Sequence, residues 1–156
     1  MSKRIRLAYI FPSNLEHPGL KIKYEGQLDA FQKKYKVTNI YFNYNTADSR
    51  LTKALKYLRF ELKSIIAILI SKKAYIRYNP KAVITNFLIP YLTKKTIYLE
   101  FNTIFEFELK LLNRTIENKL YLKLMNIYKK APHIHYVCVT KQIMTHLNEQ
   151  GIAKEK

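Results

Sequence analysis

Apolar positions along this chain fall into short runs that alternate with longer stretches of helical period. Ile5 to Phe11, with RLAYIF inside it, is a brief β-branched and aromatic run stopped by Pro12-Ser13-Asn14, the pattern of a buried parallel strand. A loop is expected over Pro12 to Leu20. Tyr24, Leu28 and Phe31 then recur at helical spacing between Lys21 and Lys34, and Lys33-Lys34 suit a helix C-terminus. Val37 to Phe42 reads as a second strand, so the first forty residues suggest a right-handed βαβ unit.

The alternation continues to the end. Ser49 is placed to cap a long helix to about Ser71, whose Leu51, Leu55, Leu58, Leu62, Ile65, Ile66 and Leu69 form a wide apolar stripe expected to face the core. The run Ile65 to Ile70 reads as a buried helix end, too short to cross a bilayer. Ala74 to Tyr78 is a third strand, and Pro80 starts a shorter helix that Pro90 should interrupt. Thr96 to Phe101 is a fourth strand, followed by a long polar and aromatic connection and a helix from about Ile116 to Lys130. Ile134 to Val139 is a fifth strand, and Thr140 caps a last helix ended by Gly151. The class is therefore α/β, a Rossmann-like three-layer domain with a mainly parallel sheet, over residues 1–152, with a short polar tail at 153–156.

Composition adds a strong positive charge: 28 Lys and Arg stand against 11 Asp and Glu, for a formal +17 over 156 residues. Of those cations 22 are Lys, so bidentate phosphate or base recognition, which favours Arg, is poorly served and nucleic acid is not the expected partner. Tyr residues do not gather into a stacking platform, since Tyr9, Tyr41, Tyr75 and Tyr98 fall in strands and Tyr57 and Tyr121 in helices. Lys53, Lys56, Arg59 and Lys63 share one side of the second helix, a candidate face for an anionic membrane surface. The single Cys138 excludes a disulfide framework and, in a predicted central strand, reads as an inert buried thiol, which fits a reducing cytoplasm. No secretion signal is expected at the start, where the apolar run meets Pro12 without a cleavage site.

In a parallel α/β sheet, ligands bind at the C-terminal strand edges, and two segments there carry candidate chemistry. The loop PSNLEHPGLK brings Asn14, His17, Gly19 and Lys21, with Gly19 allowing close backbone approach to an anion or sugar. It has neither the GxGxxG nor the Walker pattern, so no nucleotide cofactor is implied. In YLEFNTIFEFEL, Glu100 and Asn102 end the fourth strand, where a carboxylate and an amide can fix sugar hydroxyls; Glu106 and Glu108 suit solvent or nearby Lys. Arg77 closes the third strand. His133 and His135, two apart on a strand, lack a third ligand, so no metal site is expected.

Taken in order, RLAYIFPSN, HPGLKIKYEGQLDAF, AYIRYNP, KKTIYLEFNT and APHIHYVCVTKQIMTHLNEQGI resemble the N-terminal domain of a family-four glycosyltransferase. The resemblance implies one half of a GT-B fold, the acceptor side of a retaining enzyme that moves a sugar from a nucleotide donor to a glycan or lipid-linked acceptor in polysaccharide biosynthesis of the cell envelope. It maps acceptor contacts onto Gly19 with His17 and Lys21, and a Glu-x-Asn element onto Glu100 and Asn102. No catalytic residue follows, because the first loop has only Gly19 and no His lies near Glu100. It further implies that a donor-binding second domain is absent, so that this chain is half an enzyme, inactive alone, meeting a nucleotide sugar only if that half is supplied. The alternative is a non-enzymatic basic α/β module on an anionic membrane surface or nucleic acid.

Overall fold

The computed structural model describes residues 4–13, 15–16, 18–43 and 47–152. In chain order it has β1 (Arg6–Phe11), α1 (Pro18–Lys34), β2 (Lys36–Tyr41), α2 (Arg50–Ile70), β3 (Lys73–Arg77), α3 (Val83–Leu88) running into a 3-10 turn at Ile89–Tyr91, β4 (Thr96–Phe101), α4 (Phe105–Leu111), α5 (Thr115–Tyr128), β5 (Ile134–Cys138) and α6 (Lys141–Glu149). The strands form an all-parallel sheet in the order β2-β1-β3-β4-β5, flanked by helices, as in a Rossmann-like α/β domain. Contacts divide the chain into two compact units, Met1–Ile76 and Arg77–Lys156.

The first unit is built on β1. Leu7 to Phe11 are all buried. β1 pairs in parallel with β2, from Arg6 opposite Lys36 to Phe11 opposite Tyr41, and with β3, from Leu7 opposite Lys73 to Ile10 opposite Ile76. A strand flanked on both sides satisfies its backbone groups in the ladder, which leaves its side chains free to be apolar on both faces. Tyr9 is the hub of the face that receives α1. Its ring stacks on Tyr24 at 5.4 Å and meets Phe31 at 5.3 Å and Tyr75 at 6.0 Å edge-on, and its hydroxyl donates to Gln27 Oε1 at 2.8 Å. Each such ring pair adds about 0.5–1.5 kcal/mol beyond burial, and the hydroxyl bond removes the cost of an orphaned polar atom.

The second unit repeats the logic with other residues. β4 pairs with β5 from Ile97 opposite Ile134 to Phe101 opposite Cys138. Tyr78 stacks on Phe101 at 4.8 Å and meets Phe105 at 5.1 Å and Tyr121 at 5.9 Å edge-on, joining the end of β4 to α4 and α5. Tyr128 donates to Asn86 O of α3 at 2.8 Å and the half-buried Tyr136 to Tyr128 O at the end of α5 at 3.1 Å, so these hydroxyls hold helix backbone.

Most elements lie within a few residues of their expected positions, and the differences have physical reasons. α1 begins at Pro18, three residues before Lys21, because Pro lacks an N–H that a first-turn residue would leave unused. Gly19 and Lys21 are therefore first-turn helical residues, not loop residues. The connection after β4 is not irregular: Phe105–Leu111 is helical, its short apolar face (Phe105, Leu109) too brief to register as a period. Pro90 sits inside the 3-10 turn that ends α3, where tighter winding tolerates it. β5 is an edge strand, not a central one, and Cys138 at its end is half-buried, its thiol pushed up by burial. Ser49 and Thr140 do cap their helices, accepting from Thr52 N and Ile143 N, and Gly151 at φ +68° ends α6.

The largest correction concerns α2. Its length and cap match expectation, but the leucine stripe faces outward. Leu51, Leu55, Leu58, Leu62, Ile66, Leu69 and Ile70 are 46–71% exposed, whereas Phe60, Glu61, Ser64, Ala67 and Ile68 are buried. The expected buried end at Ile65 to Ile70 is thus buried only at Ala67 and Ile68, with Ile65 half-buried. The seat of α2 against β1 and β2 is aromatic: Phe42 lies 4.7 Å from Tyr57 and 5.7 Å from Phe60. Ser64 on this inner side donates to Phe60 O at 2.8 Å, satisfying its hydroxyl within the helix.

This assignment of faces has a direct measure in equilibrium unfolding. Leu62→Ala should cost under about 0.5 kcal/mol, as a surface change does, whereas Leu99→Ala in the fully buried part of β4 should cost about 2–5 kcal/mol. Equal losses in urea titrations would put the leucine row back in the core.

Candidate functional site

The candidate ligand residues fall in both units. In the first, Gly19 and Lys21 lie in the opening turn of α1, both exposed, and Lys21 Nζ is 3.9 Å from Glu25 one turn on. Asn14 and His17 lie outside the described residues. In the second, Arg77 ends β3 and is 8% exposed, Glu100 is 1% exposed in β4, and Asn102, half-buried, follows the strand directly. The backbone brings this group together: Tyr78 N–H donates to Glu100 O at 2.8 Å, fastening the exit of β3 to the end of β4. Burial separates their tasks. A carboxylate as enclosed as that of Glu100 acts by holding its surroundings, and Asn102 is the member of the pair with surface to offer a ligand.

Near these strand ends the second unit holds a network that the sequence does not signal as a whole. Glu106 at the start of α4 accepts from Lys110 Nζ at 2.6 Å and from Gln150 Nε2 at 2.6 Å, and its Oε2 lies 3.6 Å from His146 Nε2. The Lys110 hydrogen bond, partly offset by burial, with further help from Gln150 and His146, holds the Glu106 carboxyl below its ordinary value. Glu106 and Lys110 are an i,i+4 pair visible in the sequence. Gln150 and His146 arrive from α6 and had no local signal. Phe107 and His146, with ring centroids 5.2 Å apart, border an open cavity of about 400 Å³ that Ile104, Lys141 and Glu149 also line.

His133, just before β5, and His135 within it have structural occupations. His133 Nε2 lies 3.0 Å from Ile89 O, and the His135 ring stacks on Tyr98, its partner in register, at 5.3 Å. Among the described residues no group of three His, Cys, Asp or Glu is placed to hold a metal ion.

The basic candidates of α2 line a different cavity. Lys56, Arg59 and Lys63, with Phe60, face Asn39 to Asn43 of β2 and its exit across a groove of about 410 Å³. Lys56 is paired with Asp48 at 2.6 Å, while Arg59 and Lys63 have no ion-pair partner among the described residues. Lys53 is half-buried and does not line this groove.

Comparison with protein-family models, curated proteins and solved structures returns no match.

The Glu106 network makes a pH-dependent contribution to stability. A carboxyl depressed in the folded state stabilises fully above its unfolded value and loses that contribution as pH falls through the folded value, so the loss begins below about pH 4.5. Because Lys110 is largely exposed, solvent screening keeps the contribution under about 1 kcal/mol. Glu106→Gln should therefore lower the thermal midpoint modestly at neutral pH and flatten its fall between neutral pH and pH 3. A variant with an acid limb as steep as wild type would assign that limb to other carboxyls.

Proposed function

We propose that this chain is the acceptor-side domain of a GT-B sugar transferase that uses a nucleotide-sugar donor and a glycan or lipid-linked acceptor. The observation that carries this reading is the parallel α/β sheet with Arg77, Glu100 and Asn102 at the C-terminal ends of the neighbouring strands β3 and β4, where such sheets take their ligands. Sugar hydroxyls need directional donors and acceptors on a fixed frame. An Asn amide supplies both, and Glu100 and Arg77 lie enclosed at the same strand ends. The ordered segments from RLAYIFPSN to NEQGI supply the further support of family resemblance.

On this reading the chain contributes acceptor binding. Departure of a nucleoside diphosphate requires charge stabilisation in the transition state, which the acceptor side alone does not provide, so the 156-residue chain by itself should turn over no nucleotide sugar. Saturation-transfer NMR against a glycan panel tests the binding role. Asn102→Ala should weaken the glycan that binds by about tenfold or more, the effect of losing hydrogen bonds to a fixed ligand, with the fold retained. Glu100→Gln should weaken it less, through the position of Asn102. Absence of any glycan contact, or binding indifferent to Asn102, would remove the reading.

A further inference from the structure

α2 has three distinct sides. At 3.6 residues per turn, the buried row, the exposed leucine row and the row Lys56, Arg59, Lys63 are centred roughly 100–150° apart, each taking about a third of the circumference. The exposed row runs nearly the length of a 21-residue helix, so it is a continuous apolar strip about 30 Å long. A strip of that extent on an outer face marks an interaction surface. The only acidic residue of α2 is Glu61, and it is buried; Asp48, just before the helix, pairs with Lys56, while Arg59 and Lys63 have no ion-pair partner among the described residues.

We infer that α2 is an interfacial helix that lays the protein on an anionic lipid bilayer. In that pose Leu55, Leu58, Leu62 and Ile66 enter the boundary between headgroups and acyl chains, and Arg59 and Lys63 meet lipid phosphates from the adjoining side. The pairing of an apolar row with the adjoining cations Arg59 and Lys63 is what selects this occupant. A protein partner for a leucine row needs no excess cation, and a polyanion such as RNA has no use for the leucines; a bilayer interface uses both. α2 does not cross the membrane, since among the described residues no helix is long and apolar enough. The surface lies on α2 itself and is independent of the sugar-transfer reading. It also changes the expected contact from the cationic face of Lys53, Lys56, Arg59 and Lys63 to the leucine row with Arg59 and Lys63 beside it.

The test uses the full chain with vesicles of phosphatidylcholine alone or mixed with phosphatidylglycerol. Wild type should float with the mixed vesicles and stay behind with the neutral ones. Leu58→Gln with Leu62→Gln, at exposed positions that leave the core intact, should reduce vesicle affinity about tenfold or more, and Arg59→Glu with Lys63→Glu should do the same. Lys129→Glu with Lys130→Glu, equal in charge change but elsewhere, should keep most of the binding. The chain contains no Trp, so Leu62→Trp places a single reporter on the strip; its emission should shift to the blue with mixed vesicles, while Lys130→Trp should not respond. Three results would overturn the assignment: binding that survives loss of the leucines, which would leave a plain electrostatic patch; an unshifted Leu62→Trp spectrum on bound vesicles; or a wild-type dimer in light scattering that the leucine variant makes monomeric without any lipid binding, which would give the strip to a second copy.

Discussion

Enclosing a tyrosine in the middle of β1 is the constraint on which the first half of the molecule turns. Tyr9 has no exposed surface, so its hydroxyl must find a partner inside, and it finds Gln27 on α1. That bond fixes where along the sheet α1 lies, and the ring stack with Tyr24 fixes its rotation. Tyr24 in turn accepts from Asn39 Nδ2 of β2 at 2.7 Å, which carries the same register outward to the edge strand. One buried polar atom thus links β1, α1 and β2 more specifically than apolar contact would, because a slip of one residue would leave a hydroxyl unsatisfied.

The same device recurs in the second unit, with helix backbone as the acceptor. Tyr128 and Tyr136 spend their hydroxyls on carbonyls of Asn86 and Tyr128, and the Tyr78 ring sits among Phe101, Phe105 and Tyr121. Aromatic content that, read along the chain, invites thoughts of base stacking is here structural. At the end of β4, Glu100 is almost fully enclosed, while Asn102, two residues on, keeps part of its surface exposed.

What the chain made legible was periodicity and punctuation. Strand runs such as RLAYIF, the Ser49 and Thr140 caps and the Gly151 stop are local signals, and local signals specify element type and order. What it hid was direction. A leucine row at helical spacing identifies α2 but does not say which side meets the sheet; that is decided by Tyr57 and Phe60 of the helix together with Phe42, which directly follows β2. Likewise Glu106 and Lys110 are readable as a pair, while Gln150 and His146 join them only through tertiary packing. The short apolar face of α4 and the edge position of β5 were obscured for the same reason: both depend on what lies beside the element in space.

The outward leucines of α2 have a consequence for how the chain reaches its fold. Before the core closes, this helix offers the nascent β1 and β2 two apolar sides, and by hydrophobicity alone the leucine side is the better one. Docking the wrong side would free Glu61 and Ser64 to water and bury seven large aliphatic groups, a rolled helix that competes with the native packing. The aromatic contacts of Phe42 with Tyr57 and Phe60 are what tip the choice, so the native orientation of α2 is a selection between two plausible seats, and folding speed should depend on three rings more than on the leucines that dominate the helix by number.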